Sequence, residues 1–405
     1  MSTDLLNTMD PHDLGQRLQR ARKQRGLTQA DAAALIDVAR TTLTAIEQGK
    51  RSIKPDELIA LARAYGRQVG EFVRPEAPVE PFQVAFRSAD LRGLADDGPI
   101  LAAIDRFEDY CRDYLALEDL TASPLAQRYP PPYTIGALSP EQAGESVAQE
   151  ERNRLGLGDG PLLQLRAMLE QDVGLRIFYM PLEPSDTFAA MYSFTANLGG
   201  CIAVNSLHPE ERRRWSLAHD YAHFLTERHQ PDINVIDKYV RRPDRERFAD
   251  SFAVAFLMPA NGLLRRFNRL RDSKQAITPG DLCLLAHYYA VSVETMTRRL
   301  EELRALPSGT WDRLRNGGFK VRAAQRQLGL EKLHAYDDLL PKRYQFLAVY
   351  ALDQGMISEG EFARFLHVDR LKAREIAAIL REETDGLENG YTVDLTTTAE
   401  EPLGD

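Results

Sequence analysis

Cysteine is scarce in this sequence, and its spacing excludes two classes of small domain. The chain has 405 residues and three cysteines, Cys111, Cys201 and Cys283, none of them in a CxxC pair. Secreted disulfide-stapled domains and cysteine-based zinc modules both need more cysteines at closer spacing. We therefore expect any metal site to use histidine and carboxylate ligands.

Long apolar runs are also missing. The longest, such as FAVAFLM and FLAVYAL, fall far short of the roughly 20 apolar residues that a helix needs to cross a bilayer. The first residues, MSTDLLNTMD, lack the basic and apolar regions of an export signal. We expect a cytoplasmic protein with no membrane partner.

Charge is distributed unevenly along the chain. Residues 13–74 carry 12 Lys+Arg against 7 Asp+Glu, a balance of 12 − 7 = +5, so the rest of the chain carries −9 − 5 = −14. A basic segment on an acidic body is typical of nucleic-acid contact confined to one end. The charge distribution therefore predicts that the N-terminal segment contacts nucleic acid.

The pattern of apolar residues and breaks predicts a mainly α protein of the α+β class. Three short β-like runs, LRIFYMP, AAMYSF and GCIAVN, predict a small antiparallel sheet among helices. We expect a DNA-binding domain at 13–75, a linker with a helical connector at 76–140, a central domain at 141–305, a helical C-terminal domain at 306–381, and an acidic disordered tail at 382–405.

The stretch LTQADAAALIDVARTTLTAIEQGKRS has the rhythm of a helix-turn-helix. Thr28 can cap a helix over residues 29–36, and a turn at 37–39 leads into a second helix over 40–48. Gly49 then supplies a left-handed C-cap.

The second of these helices presents short polar side chains suited to a DNA major groove. Arg40, Thr41 and Thr44 lie on its outer face, and Gln29 at the start of the earlier helix is placed to contact phosphate. The segment resembles the XRE (λ repressor-like) family through Leu27-Thr28-Gln29, Arg40, Ile46-Glu47 and Gly49-Lys50-Arg51. The resemblance implies a five-helix domain with Lys50 and Arg51 as further DNA contacts. It also implies a nucleoid-associated protein that binds a double-stranded DNA operator as a homodimer.

A second motif, WSLAHDYAHFLTERH, places His219 and His223 four residues apart. On one helix face they lie about 6 Å apart along the axis, and two neutral imidazoles at that spacing can both reach one Zn²⁺ ion. The pair alone is weak evidence, because histidines packed in a helix interface are common.

Three residues are candidates for a third ligand. Glu227 lies about 12 Å along the helix axis from His219, too far for one tetrahedral ion. His229 reproduces a known zinc-site spacing, but that arrangement needs a glycine where Thr226 stands. Glu246, in DRERFADSFAVAFLMP, is the favoured ligand over an alternative as a surface salt bridge with Arg242 or Arg247.

Asp250 lies one turn after Glu246 on the same predicted helix. Its carboxylate can accept the free N–H of a ligating histidine, which fixes the imidazole tautomer and raises its basicity. The pattern thus predicts a supporting carboxylate beside the candidate ligands.

Residues from about 141 to 303 resemble the ImmA/IrrE family of zinc metallo-endopeptidases. The matching stretches are RNRLGL, GCIAVN, RRRWSLAHDYAHFL, ERFADSFAVAFLMP and LAHYYAVSVETMTRRL. The resemblance implies a zincin-like, gluzincin-type fold, with His219, His223 and Glu246 as Zn²⁺ ligands and Asp220 as the general base. It also implies narrow cleavage of XRE-type repressors or antitoxins in stress, phage-defence or mobile-element responses.

Asp220 departs from the family pattern, which has glutamate there. Aspartate is one methylene shorter, so its oxygens retreat by about 1.5 Å from an attacking water. Two hypotheses follow: an endopeptidase with a weak base, or a non-proteolytic regulator whose metal-bound domain senses a partner. Tyr192 and His287–Tyr289 are candidates either for oxyanion stabilisation or for aromatic packing.

The C-terminal helices carry a third pattern. They favour dimerisation or interdomain packing over a second helix-turn-helix, although Arg370, Lys372 and Arg374 lie on the last one.

Overall fold

The computed structural model describes residues 10–65, 69–73, 98–185, 188–230, 232–235, 243–274, 276–331, 333 and 339–388. The chain divides into two compact units, Met1–Ala77 and Pro78–Asp405. Within the described residues, none of the helices has the length and apolarity required to cross a membrane.

The first unit is built from five described helices, as the sequence predicts. They are α1 (Pro11–Gln24), α2 (Gln29–Leu35), α3 (Arg40–Glu47), α4 (Pro55–Tyr65) and α5 (Val69–Val73). Their apolar faces enclose one core, which includes Leu18, Leu43 and Leu61.

Local sequence signals account for the turns of this unit. The Thr28 side chain accepts from Asp31 N while Asp31 accepts from Thr28 N, a reciprocal cap on α2. Asp37 takes the left-handed conformation at φ 52°, which aspartate tolerates better than most residues. Gly49 has φ 68°, and a Cβ there would lie 2.6 Å from His12 Cα, so only glycine fits.

The second unit contains a four-stranded sheet among helices. The helices are α6 (Gly98–Leu120), α7 (Pro140–Arg154), α8 (Leu165–Met168), α9 (Glu210–Thr226), α10 (Asp244–Leu257), α11 (Ala260–Asp272), α12 (Pro279–Tyr289), α13 (Val293–Glu302), α14 (Thr310–Asn316), α15 (Val321–Gln327), α16 (Lys342–Asp353), α17 (Glu359–Phe365) and α18 (Arg370–Glu388). The strands are β1 (Arg176–Met180), β2 (Phe188–Thr195), β3 (Gly199–Asn205) and β4 (Asp232–Val235).

The sheet is mixed, which corrects the prediction of a purely antiparallel one. Its order is β1-β3-β2-β4, and β1 runs parallel to β3 while the other pairs are antiparallel. A tight turn makes β2 and β3 a hairpin, and the connection after β1 carries β2 to the far side of β3. Strand β4 has no counterpart among the three predicted runs.

Both faces of the sheet are buried. Alternate residues such as Ile177, Tyr192 and Ile202 pack into a core shared with α9 and α10. The opposite face, including Phe178 and Met191, packs into a second core formed by α6 and α16 to α18. The α+β class is therefore confirmed, with helices on both sides of the small sheet.

A buried ion-pair network joins the elements on that second face. Glu118 on α6 accepts from two arginines: its Oε2 lies 2.5 Å from Nη2 of Arg176 on β1, and its Oε1 lies 2.9 Å from Nη1 of Arg343 on α16. The C-terminal helices thus pack within the chain, in agreement with the packing interpretation of that segment.

The predicted linker and acidic tail are only partly covered by the described residues. Residues 76–97 of the predicted linker and residues 389–405 of the predicted acidic tail lie outside the described residues. The tail prediction is wrong for residues 382–388, since α18 continues to Glu388. The division of residues 76–381 into three parts stays a prediction.

Candidate metal centre and nucleic-acid interface

Helix α9 presents His219 and His223 on one buried face. Their side chains are 1% and 2% exposed, and their Nε2 atoms lie 3.1 Å apart. Trp215, one turn earlier, packs its ring 5.0 Å from the His219 ring. Burial on every side holds both imidazoles in one orientation, as the four-residue spacing predicts.

Helix α10 brings two carboxylates to the same place. Glu246 Oε2 lies 3.3 Å from His219 Nε2, and Glu246 Oε1 lies 3.6 Å from His223 Nε2. Asp250 Oδ1 lies 3.1 Å from His219 Nδ1, on the other side of that ring. The predicted arrangement of donor atoms and supporting carboxylate is therefore present in the geometry.

The spacing of these donor atoms fits one small metal ion. The three candidate ligand atoms of His219, His223 and Glu246 all lie within 4.8 Å of one another. Bond lengths of about 2.0–2.2 Å to a tetrahedral Zn²⁺ ion require donor atoms roughly 3.3–3.6 Å apart. The two Nε2 atoms lie 3.1 Å apart, His219 Nε2 lies 3.3 Å from Glu246 Oε2, and His223 Nε2 lies 3.6 Å from Glu246 Oε1. These separations are close to that range.

The charges of the cluster shift the titration of its members. Burial disfavours the protonated imidazole, but the carboxylates of Asp250, Glu246 and Asp220 outweigh it and raise the pKa of His219 to about 10. Burial also opposes the charge of Glu246, yet the two histidines and Arg245 lower its pKa to about 2. The site is therefore strongly polarised, with the negative charge concentrated beside the two imidazoles.

Asp220 follows His219 on α9 and is 1% exposed. Its negative charge contributes to the raised pKa of His219, and also to that of Tyr192 on β2, where burial is the largest cause. The residue predicted as general base thus lies in the interior between the histidines and the sheet.

The other candidates lie elsewhere. Among the described residues, the cluster that could hold a metal includes neither Glu227 nor His229. Glu227 Oε2 is 3.7 Å from Arg245, and the His229 ring contacts Phe194 at 4.9 Å. Tyr192 is fully buried and donates its hydroxyl to the Arg228 carbonyl, which agrees with the packing alternative.

One neighbour of the site, Arg245, was not predicted from the sequence. Arg245 lies 3.3 Å from Glu246 Oε1, whereas Arg247, expected as the alternative partner of Glu246, pairs with Glu141 and Asp244. Arg242 lies outside the described residues. The adjacency of Arg245 and Glu246 in sequence was the available signal, but neighbours on a helix usually point apart.

The predicted DNA-binding face of α3 is partly open to solvent. Arg40, Thr41 and Lys50 are exposed. Arg51 instead forms a two-bond ion pair with Glu57 at 2.9–3.0 Å and is 32% exposed. These positions remain predicted DNA contacts.

A polar network links α2 and α3 behind that face. Gln29 donates to Glu47 at 2.9 Å and accepts from Thr44 at 3.2 Å. Glu47 also pairs with Arg22 on α1 at 2.6 Å. The two predicted DNA contacts Gln29 and Thr44 are thus held by contacts within the protein, which fix the angle between the two helices.

Comparison with known families agrees with both sites. A helix-turn-helix profile matches residues 18–72, and the profile of the IrrE N-terminal-like domain matches residues 170–301. The chain carries both domains. The IrrE N-terminal-like domain contains the whole histidine and glutamate cluster as well as the four strands.

Two curated relatives match a part of the chain. The HTH-type transcriptional regulator PuuR of Escherichia coli (strain K12) and that of Shigella flexneri are each 38% identical over 85 residues, 21% of this chain and 45% of theirs. The chain therefore spans less than half the length of the curated relatives it matches.

Two solved structures resemble the chain weakly. They are ComR from Streptococcus suis, at 12% identity, and Bacillus thuringiensis PlcR in complex with the peptide PapR7 and DNA, at 13%. Each alignment covers 93% of this chain and 96% or 97% of the other, with a TM-score of 0.16. A score so low supports no conclusion about this chain.

Proposed function

We propose that this protein is a DNA-binding transcriptional regulator that carries a zinc-dependent, site-specific endopeptidase. Its substrate would be a repressor or antitoxin-like protein in a stress, phage-defence or mobile-element response, possessing an XRE-type fold in the simplest case. The observation that supports this best is the convergence of His219, His223 and Glu246 in a chain that also carries a helix-turn-helix domain. We place this activity in the cytoplasm, on DNA.

The donor set favours zinc over other divalent ions. Two imidazoles and one carboxylate form a three-ligand set of the kind that catalytic zinc sites use. His219 and His223 would hold the ion through Nε2, and Glu246 through its carboxylate. When bound, Zn²⁺ supplies Lewis-acid polarisation of a carbonyl group and activation of water.

The surrounding residues have separate tasks in this proposal. Asp250 accepts from His219 Nδ1 and keeps the ring turned so that Nε2 faces the ion. Asp220 would accept the proton of the attacking water and later return it to the leaving amine. Arg245, beside Glu246, offsets part of the negative charge that the carboxylates accumulate.

A gain-of-function experiment tests the assignment of Asp220. The Asp220→Glu variant restores the longer carboxylate, and we expect cleavage of a co-encoded regulator to rise by about 10²–10⁴-fold, the usual contribution of a general base. Metal content of both proteins is measured by mass spectrometry, and cleavage is followed by gel with and without a chelator.

The control for that experiment removes the ligands. A His219→Ala, His223→Ala double variant in the Asp220→Glu background should hold no zinc and cleave nothing. If the native chain and the Asp220→Glu variant both hold zinc and the variant cuts no regulator under any trigger, the endopeptidase proposal fails.

A second function has its own observation in its favour. Asp220 is shorter than the glutamate that general-base catalysis at this position needs, by about 1.5 Å, and it is buried rather than open to solvent. The alternative is a non-proteolytic regulator whose metal-bound domain senses a ligand or binds a partner. Zinc binding without cleavage, in the native chain and in the Asp220→Glu variant alike, would favour it.

DNA binding is tested separately. Arg40→Ala should weaken operator binding by about 5- to 150-fold, because an arginine contact to a base edge contributes roughly 1–3 kcal/mol. Arg63→Ala, an exposed arginine on α4, is the matched control and should leave the gel shift unchanged. We expect a homodimer on paired half-sites; equal shifts for both variants would contradict the assigned face.

A further inference from the structure

A pocket outside the candidate metal centre combines cations with an apolar wall. It has a volume of about 740 Å³ and lies between α11, α12 and the loop before α8. Its lining includes Arg265, Arg266, Arg269, Leu284, Tyr288 and Leu330. None of its lining residues belongs to the metal cluster, so the pocket is separate from the candidate metal centre.

The arginines of this pocket are unevenly paired. Arg265 bonds to Asp159 at 2.7 Å. Over the part of the chain that the structure describes, no carboxylate pairs with Arg266 or Arg269. Three arginines against one aspartate leave the pocket with a net positive charge, although the whole chain carries −9.

The wall beside these arginines is apolar and aromatic. The Arg266 guanidinium lies 3.4 Å from the centre of the Tyr288 ring. Leu284 and Tyr288 remain 39% and 38% exposed, although both are large side chains on a short helix whose other residues are mostly buried. A planar guanidinium on an aromatic ring offers its second face for stacking.

We propose that the pocket binds a small organic anion with a flat apolar body. Arg266 and Arg269 would bind its phosphate or carboxylate, since guanidinium groups match both anions with paired hydrogen bonds. The flat body would stack on Arg266 and contact Tyr288 and Leu284. The volume lies within the 300–1,000 Å³ that is usual for small-molecule sites.

The fold explains why the pocket is preformed. Gly262 on α11 packs against the loop at Asp159, where a Cβ would lie 2.1 Å from the Asp159 carbonyl oxygen. This close approach fixes the loop beside the arginines. The proposal does not depend on catalysis, on zinc or on DNA binding.

Calorimetric titration of the full-length protein tests the proposal. The probes are adenosine monophosphate, indole-3-acetate, adenosine and inorganic phosphate. We expect one of the first two to bind at least about tenfold more tightly than adenosine and phosphate, because only they combine charge with a flat body. Tight binding of adenosine monophosphate would indicate a phosphate ligand, and tight binding of indole-3-acetate would indicate a carboxylate ligand.

Variants assign the binding to this pocket. An Arg266→Gln, Arg269→Gln double variant should weaken the bound probe by about tenfold or more. Arg271→Gln, on the same helix but outside the pocket and paired with Asp272, should not change it. Tyr288→Leu should weaken the flat probe and leave phosphate unaffected.

Three results would overturn the proposal. One is the absence of binding by all four probes at millimolar concentration. Another is equal binding of the probe by the double variant and the native chain. The third is a loss of duplex DNA binding in the double variant with no change in probe affinity, which would make this surface a nucleic-acid contact.

Discussion

Asp250 supports the metal centre through a single contact with the His219 ring, and a substitution of Asp250 tests that role directly. The two groups lie 3.1 Å apart, and the Asp250 side chain is 27% exposed. We expect Asp250→Asn to lower zinc affinity by about 10–100-fold, the usual effect of removing a carboxylate behind a ligating histidine. Competition with a chromophoric chelator measures this.

Asp244→Asn is the matched control for that change. Asp244 begins the same helix, is 78% exposed and pairs across the surface with Arg247 at 3.0 Å. Exposed pairs contribute little, so zinc affinity should stay unchanged. Equal losses in both variants would mean that Asp250 acts through general charge rather than through the His219 ring.

Single side chains are also where sequence reasoning worked best. The positions of His219 and His223 follow from helical spacing, and Asp250 from its place one turn after Glu246. The Gln29–Thr44 contact could not be predicted, because it depends on the angle between two helices. The same limit applies to Arg245, whose reach toward Glu246 depends on its rotamer.

Among the elements, the packing of α7 against α10 sets the position of both carboxylates. A Cβ at Gly144 would lie 2.7 Å from Phe248 O and 2.8 Å from Phe252 N. We therefore expect Gly144→Val to force the helices apart and to lower the free energy of unfolding by about 1–3 kcal/mol or more. Urea denaturation measures the change.

We expect Gly144→Val to affect zinc binding as well as stability, because it displaces α10. Since α10 carries Glu246 and Asp250, zinc affinity should fall together with stability. Gly280→Ala is the control, because a Cβ there meets nothing closer than 3.6 Å and alanine is favoured in a helix. A destabilised Gly144→Val protein with native zinc affinity would show that the site is positioned by α9 alone.

The pairing of the strands was harder to predict than the positions of the strands and helices along the chain. Three of the four strands and most helices follow from apolar periodicity, and Thr28 marks the start of α2 as expected. The parallel pairing of β1 with β3 is a non-local choice that apolar runs do not encode. Continuous apolar runs such as GCIAVN do indicate that a strand is buried on both faces, but they do not indicate which helices pack on those faces.

For the whole molecule, the separation into two units predicts how zinc should affect unfolding. The described apolar cores of the first unit and the second share no residue. Zinc at about 100 times its dissociation constant should stabilise the second unit by roughly 2.7 kcal/mol. Calorimetry should show one transition moving to higher temperature and the transition of the first unit staying in place.

The ligand-free variant provides the comparison. The His219→Ala, His223→Ala protein should show no zinc-dependent shift in either transition. A shift of both transitions in the native chain would instead indicate that the two units unfold together, and the molecule would have to be treated as one cooperative body.

The small sheet is buried on both faces, but the segment that matches the family profile does not supply the helices for both faces. The matched IrrE N-terminal-like segment, residues 170–301, holds every described strand. It holds neither α6 nor α16 to α18, which cover the second face. A gene rearrangement that moved only the matched segment would therefore leave half of the sheet bare.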